Sequence, residues 1–147
     1  MTAEDVSRLR TETGAGIMDC KRALTETGGD FNAAKEHLSA QGMAKAEKKG
    51  DRETGEGHLE AYIHGGRIGV LLELRCETDF VARGDLFREL ARGIAMHISA
   101  TDPATVLDLM VQSYIRDESL TIEDLIKGVV TKTGENIRVA RFARFAL

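Results

Sequence analysis

His58-Leu59-Glu60-Ala61-Tyr62-Ile63-His64-Gly65-Gly66-Arg67-Ile68-Gly69-Val70-Leu71-Leu72-Glu73-Leu74-Arg75-Cys76 is the stretch whose reading decides the fold. Its halves, His58 to His64 and Ile68 to Cys76, alternate in polarity as strands do, and Gly65-Gly66-Arg67 between them marks a tight hairpin. Successive strand side chains point to opposite faces. Val70, Leu72, Leu74 and Cys76 therefore share one face, and Glu73 and Arg75 the other. On this reading Cys76 is a core residue rather than a nucleophile.

Downstream, Glu77-Thr78-Asp79-Phe80-Val81-Ala82-Arg83 reads as a short turn ahead of Gly84. Asp85 is placed to N-cap an amphipathic helix whose apolar stripe is Phe87, Leu90, Ala91, Ile94 and Ile98. Asp102-Pro103 ends it, because proline has no N–H to continue the ladder and restrains its predecessor. Ala104 to Val111 suggests another helical piece. Thr121 with Asp124 resembles a capping box, opening a helix with Ile122, Leu125, Ile126, Val129 and Val130 inside and Gly134 as its C-terminal cap. Ile137 to Phe145 is expected as a last strand, basic through Arg138, Arg141 and Arg144 and suited to a sheet edge.

Upstream of the hairpin the period is helical. Thr2 and Asp5 resemble a capping box, Val6 and Leu9 follow on one face, and Thr13-Gly14-Ala15-Gly16 breaks the helix. Ile17, Cys20 and Leu24 recur at helical spacing until Gly28-Gly29. Asp30 then caps a third helix carrying Phe31, Ala34 and Leu38, which Gly42 is expected to close. Residues 44–57, charged and dotted with glycine, read as a linker or a frayed helical extension. The fold class is α+β: three helices over residues 2–43, then, past the 44–57 segment, a core in which amphipathic helices cover a three-stranded antiparallel sheet made of the hairpin and the distant last strand.

Composition narrows the function. The 147 residues carry a formal net charge of −4, and the most basic run, Ala44 to Arg52, is interrupted by Glu47 and Asp51. A solvated helix face is the expected reading there, and no nucleic-acid partner is expected. No apolar run approaches the ~20 residues of a membrane helix, so no membrane partner is expected. The amino terminus, MTAEDVSRLR, has early acids and no apolar h-region, which points away from a secretory signal and towards a cytoplasmic address. Cys20 and Cys76 suit a reducing compartment, and His37, His58, His64 and His97 show no metal-ligand spacing with them. No cofactor and no bond-making chemistry are expected, since nucleophile elbows, zinc clusters and phosphate loops are all missing from the sequence.

Two stretches stand out locally. In Thr78-Asp79-Phe80-Val81 the ring either points outward as an anchor beside a carboxylate or extends the core stripe towards Phe87, seven residues on. Leu9 to Lys21 is either ordinary helix–turn–helix packing or a docking surface.

At these residues the chain resembles a known family. Leu9-Arg10 with Thr13-Gly14-Ala15-Gly16-Ile17-Met18-Asp19-Cys20-Lys21 is similar to the amino-terminal signature of elongation factor Ts. Glu73 through Ala82 resembles that family's second signature, and Gly134-Glu135-Asn136-Ile137 its third. The resemblance implies a ubiquitin-associated-like helical module at residues 1–50. It also implies guanine nucleotide exchange on the translation GTPase elongation factor Tu, in its GDP-bound and nucleotide-free forms. By the resemblance, Arg10, Ile17, Met18 and Lys21 grip the GTPase domain. Asp79 and Phe80, flanked by Thr78 and Val81, push in beside its magnesium and phosphate site. Thr133 and Gly134 also touch the partner, Thr133 standing where the family usually has isoleucine. The single copy of the second signature resembles the short, single-core members, which form homodimers through the core. Some of those are disulfide-linked through a cysteine in the Phe-x-Arg-Phe tail; here Ala143 stands at that place, so a noncovalent homodimer is implied. The alternative from another class is an adaptor, with the helical module holding a helix or a ubiquitin-like partner.

Overall fold

The computed structural model describes residues 2–147. Helices α1 (Ala3–Thr13), α2 (Ile17–Glu26) and α3 (Phe31–Lys48) form the amino-terminal module. The capping box is present: Thr2 Oγ1 accepts from the Asp5 N–H and Asp5 Oδ2 from the Thr2 N–H, each at 3.1 Å. Gly14 ends α1 at φ 72°, a left-handed conformation that costs glycine little. Leu9, Cys20, Ala23, Leu24, Ala34 and Leu38 make a small separate core. Ile17, expected on that apolar stripe, is instead 50% exposed.

Gly42 does not close α3, which runs on to Lys48. A Cβ at Gly42 would lie 2.9 Å from Thr131 Cγ2, so this glycine serves close helix packing rather than termination. The partner helix is α7 (Ile122–Thr133), and Glu47 of α3 pairs with Lys127 of α7 at 3.0 Å. Residues 44–48, expected as linker or frayed extension, thereby become the helical seat joining module to core.

Strands β1 (Glu56–His64), β2 (Ile68–Cys76) and β5 (Arg138–Ala146) form an antiparallel sheet in the order β1-β2-β5. Gly65 and Gly66, at φ 57° and 68°, make the hairpin turn. Val70, Leu72, Leu74 and Cys76 face α5 (Asp85–Thr101) and pack with its Phe87, Leu90, Ala91, Ile94 and Ile98 in the main core. The N-cap of α5 is Gly84, and Asp85 is the first helical residue, where its charge still favours the helix dipole. Asp102 takes the left-handed cap at φ 47°, ahead of Pro103.

Helix α6 (Val106–Val111) follows, then a small hairpin the sequence reading missed, β3 (Ser113–Tyr114) and β4 (Asp117–Thr121). It is held from within: the buried His97 ring accepts from the Ile115 N–H at 3.2 Å and bonds Gln112 Oε1 at 2.9 Å. The Thr121–Asp124 capping box opens α7 and Gly134 closes it at φ 75°. Among the described residues no helix is long and apolar enough to cross a membrane. Among the described residues nothing covers the outer face of the sheet, where Leu59, Ile63, Leu71 and Phe145 are exposed.

Candidate functional site

Cys76 ends β2 on the core face, so the chain must turn sharply to reach α5. Residues Asp79–Ala82 make that turn as a single helical turn, α4. Thr78 caps it, its hydroxyl accepting from the Val81 N–H at 3.3 Å. Of α4's side chains, Ala82 is buried and Val81 half-buried against the core. Phe80 points the other way. Its ring is 84% exposed, which settles the local alternative in favour of outward display rather than extension of the α5 stripe. A phenylalanine left this far in water forgoes roughly 1.5–3 kcal/mol of burial, a potential that a partner's pocket can collect. Asp79 beside it is also exposed and pairs with Arg83 at 2.8 Å. Exposed pairs of this kind are worth ~0–1 kcal/mol, so the carboxylate is readily recruited elsewhere.

Phe80 borders an open groove of ≈ 770 Å³ whose other wall is the end of α7, through Lys132, Thr133 and Glu135. The second and third signatures, more than fifty residues apart in sequence, therefore meet here. Thr133 is half-buried. Its hydroxyl donates to the Val129 carbonyl at 2.9 Å and accepts from the Glu135 N–H at 3.3 Å, shaping the corner around Gly134.

The amino-terminal candidates gather on the module. Arg10, Ile17 and Lys21 border a groove of ≈ 410 Å³ floored by Val6. Met18 lies beside it on α2, 64% exposed. Two cations around apolar side chains suit an acidic, amphipathic surface on a partner. Lys132 links the two regions, since it lines the Phe80 groove and a Cβ on Gly14 would lie 2.9 Å from its Cγ.

Sequence reasoning missed what anchors the α4 turn. Glu135 Oε1 accepts from the Glu77 and Thr78 N–H groups at 3.1 and 3.0 Å, and Glu135 Oε2 from the Thr78 hydroxyl at 2.6 Å. In return Glu77 accepts from the Asn136 N–H at 2.6 Å. Arg52 pairs with Glu77 at 2.9 Å, and the Asn136 amide donates to the Gly50 and Arg52 carbonyls at 3.2 and 2.8 Å. Only the placement of these residues in the signatures hinted at them; among 24 acidic residues, Glu77 and Glu135 carry no local mark. Underneath, Cys76 Sγ donates to the Thr78 carbonyl at 3.2 Å. Burial, reinforced by the charge of Glu135, pushes this thiol up to about 11, which makes it unreactive.

The sequence also matches known proteins. The family model described as Elongation factor TS matches residues 31–106 and 77–147. An Elongation factor Ts of Gloeothece citriformis (strain PCC 7424) is 43% identical over 194 aligned positions, which take in all of this chain and 68% of that protein. One from Picosynechococcus sp. is 42% identical, with all of this chain and 89% of that protein aligned. One from Nostoc sp. is 47% identical over 148 positions, 47% of its length. The longer alignments exceed the 147 residues here, so those relatives hold residues without a counterpart in this chain. With its fold, its signatures and these matches taken together, the chain belongs to the elongation factor Ts family.

Proposed function

We propose that this chain is a guanine nucleotide exchange factor for the translation GTPase elongation factor Tu, acting in translation elongation and making or breaking no covalent bond. The observation that carries the reading is the Phe80 ring, 84% exposed at the tip of a braced turn with Asp79 beside it. Phe80 enters the GTPase near its magnesium and phosphate site while Asp79 brings negative charge to the same place. Thr78 and Val81 fix the turn, and Thr133 and Gly134 form the adjoining wall. Arg10, Ile17, Met18 and Lys21 hold the GTPase domain from the helical module. Residues 1–50 thus dock, and residues 51–147 perform the exchange.

The magnitudes require that division. An exchange factor leaves the overall equilibrium between GDP and GTP forms unchanged; its binding and nucleotide binding weaken each other reciprocally. Accelerating release ~10⁴-fold takes roughly 5.5 kcal/mol of differential stabilisation. Burying one phenylalanine yields ~1.5–3 kcal/mol, and a fully desolvated hot spot ~2–4 kcal/mol. The wedge is too weak alone. Docking by the module supplies the remainder, part of it spent on displacing the magnesium and phosphate contacts.

The uncovered sheet face, with Leu59, Ile63, Leu71 and Phe145 exposed, supports a noncovalent homodimer formed through the core. The exchange reading is tested by mixing the chain with elongation factor Tu loaded with fluorescent GDP, in excess GTP. Release should accelerate with chain concentration and saturate. Release at the spontaneous rate, under conditions where the two proteins form a complex, would reduce the chain to an adaptor.

A further inference from the structure

We infer that Glu135 is a positioning residue for nucleotide exchange, holding the α4 turn so that Phe80 is presented in one orientation; the inference rests on the wedge reading above. A four-residue helix has too few internal hydrogen bonds to stand by itself, because the first turn is the costly one to nucleate. Its order must be imposed from outside. The Glu135 carboxylate does this by accepting from two consecutive N–H groups, Glu77 and Thr78, and from the Thr78 hydroxyl at 2.6 Å. That same hydroxyl accepts from the Val81 N–H at 3.3 Å, so the constraint passes through Thr78 to the residue directly after Phe80. The corner bearing Glu135 is itself held, by the Thr133 hydroxyl on one side and by the Asn136 N–H donating to the Glu77 carboxylate on the other.

Glu135 lines the same groove as Phe80, and it holds α4 through the Glu77 and Thr78 N–H groups and the Thr78 hydroxyl. Its effect on exchange therefore runs through the fraction of molecules whose turn is competent to insert. Losing the carboxylate should lower the release acceleration by roughly tenfold, the worth of one charge-assisted hydrogen bond in a partly buried setting. Affinity for the GTPase set by the helical module should change much less.

The experiment is a double-mutant cycle on the full chain. Wild type, Glu135→Ala, Phe80→Ala and the double variant are compared in the fluorescent GDP release assay with elongation factor Tu. The expected result is a roughly tenfold loss for Glu135→Ala alone, shrinking to within about twofold when Phe80 is already alanine. Glu135→Gln, which keeps an acceptor for the two N–H groups, should recover part of the loss. Amide hydrogen exchange at Glu77 and Thr78 should quicken in Glu135→Ala while amides in β2 and α5 hold their protection. A Glu135→Ala chain as active as wild type, an undiminished effect in the Phe80→Ala background, or unchanged exchange at Glu77 and Thr78 would each overturn the assignment. Those failures are distinct from failure of the wedge reading, which a Phe80→Ala chain releasing GDP at the wild-type rate would bring down.

Discussion

Replacing Leu9 by alanine should detach the fate of the helical module from that of the core. Leu9 is fully buried among Cys20, Ala23, Leu24, Ala34 and Leu38, a core with few large side chains. A buried leucine cut to alanine costs ~2–5 kcal/mol through lost transfer energy and the cavity left behind. A core this small rarely supplies more than ~3–5 kcal/mol of net stability. The substitution therefore removes most of what holds α1, α2 and the start of α3, whereas the far end of α3 stays seated on α7. The assay follows from where the chromophores lie. The chain has no tryptophan, and its two tyrosines, Tyr62 in β1 and Tyr114 in β3, both belong to the core. Tyrosine fluorescence thus reports the core alone, while circular dichroism at 222 nm reports every helix. In Leu9→Ala the 222 nm signal at 25 °C should fall by roughly a third, the share of helix in the melted part, with the tyrosine transition in urea nearly unmoved. Exchange on elongation factor Tu should then need more chain for half-saturation. A full 222 nm signal and a single transition shared by both probes would refute the idea that the module stands on its own small core.

Stability should also depend on pH through His97. Burial lowers its pKa below the ordinary value by disfavouring the charged ring, against the bond to Gln112, which favours it. Its contribution is fully present above about pH 6.5, the unfolded value, and is lost as pH falls from there through the folded value. Urea midpoints measured between pH 7.5 and 5.5 should decline for wild type, and a His97→Gln chain, less stable at pH 7.5, should show a flatter profile; parallel profiles would refute this. The thiols offer another check. Burial raises the pKa of both Cys20 and Cys76, so neither should react with a thiol reagent at pH 8 until urea unfolds the chain. Rapid labelling of either in the native protein would contradict the packing around it.

Much of the fold was legible because it rests on local signals. The alternation from Ile68 to Cys76 identifies the central strand and its buried face, and Gly65-Gly66 identifies its turn. Both capping boxes and the Gly134 cap are short-range chemistry, and they appear where residue type places them. The role of Gly42 is not legible in this way, because the sequence does not show what approaches it: a glycine that ends a helix and one that admits Thr131 are written alike. The β3–β4 hairpin carries no such local signal, because long-range contacts hold it: His97, reaching across from α5, accepts from the Ile115 N–H, and Tyr114 is buried in the main core. The candidate site divides the same way. Thr78 to Val81 was marked by local oddity, a phenylalanine and a carboxylate in a turn. Glu135 and Asn136 act on that turn across more than fifty residues, a distance that periodicity cannot span.

The central claim, that the exposed Phe80 ring drives GDP release, is tested most directly by Phe80→Ala in stopped-flow release of fluorescent GDP from elongation factor Tu. The ring is in water in the free chain, so the variant should unfold at the wild-type temperature. Saturating release should slow by about 10- to 150-fold, the kinetic equivalent of ~1.5–3 kcal/mol of burial gained only in the exchanging complex. An equally folded variant that releases GDP as fast as wild type would contradict the account.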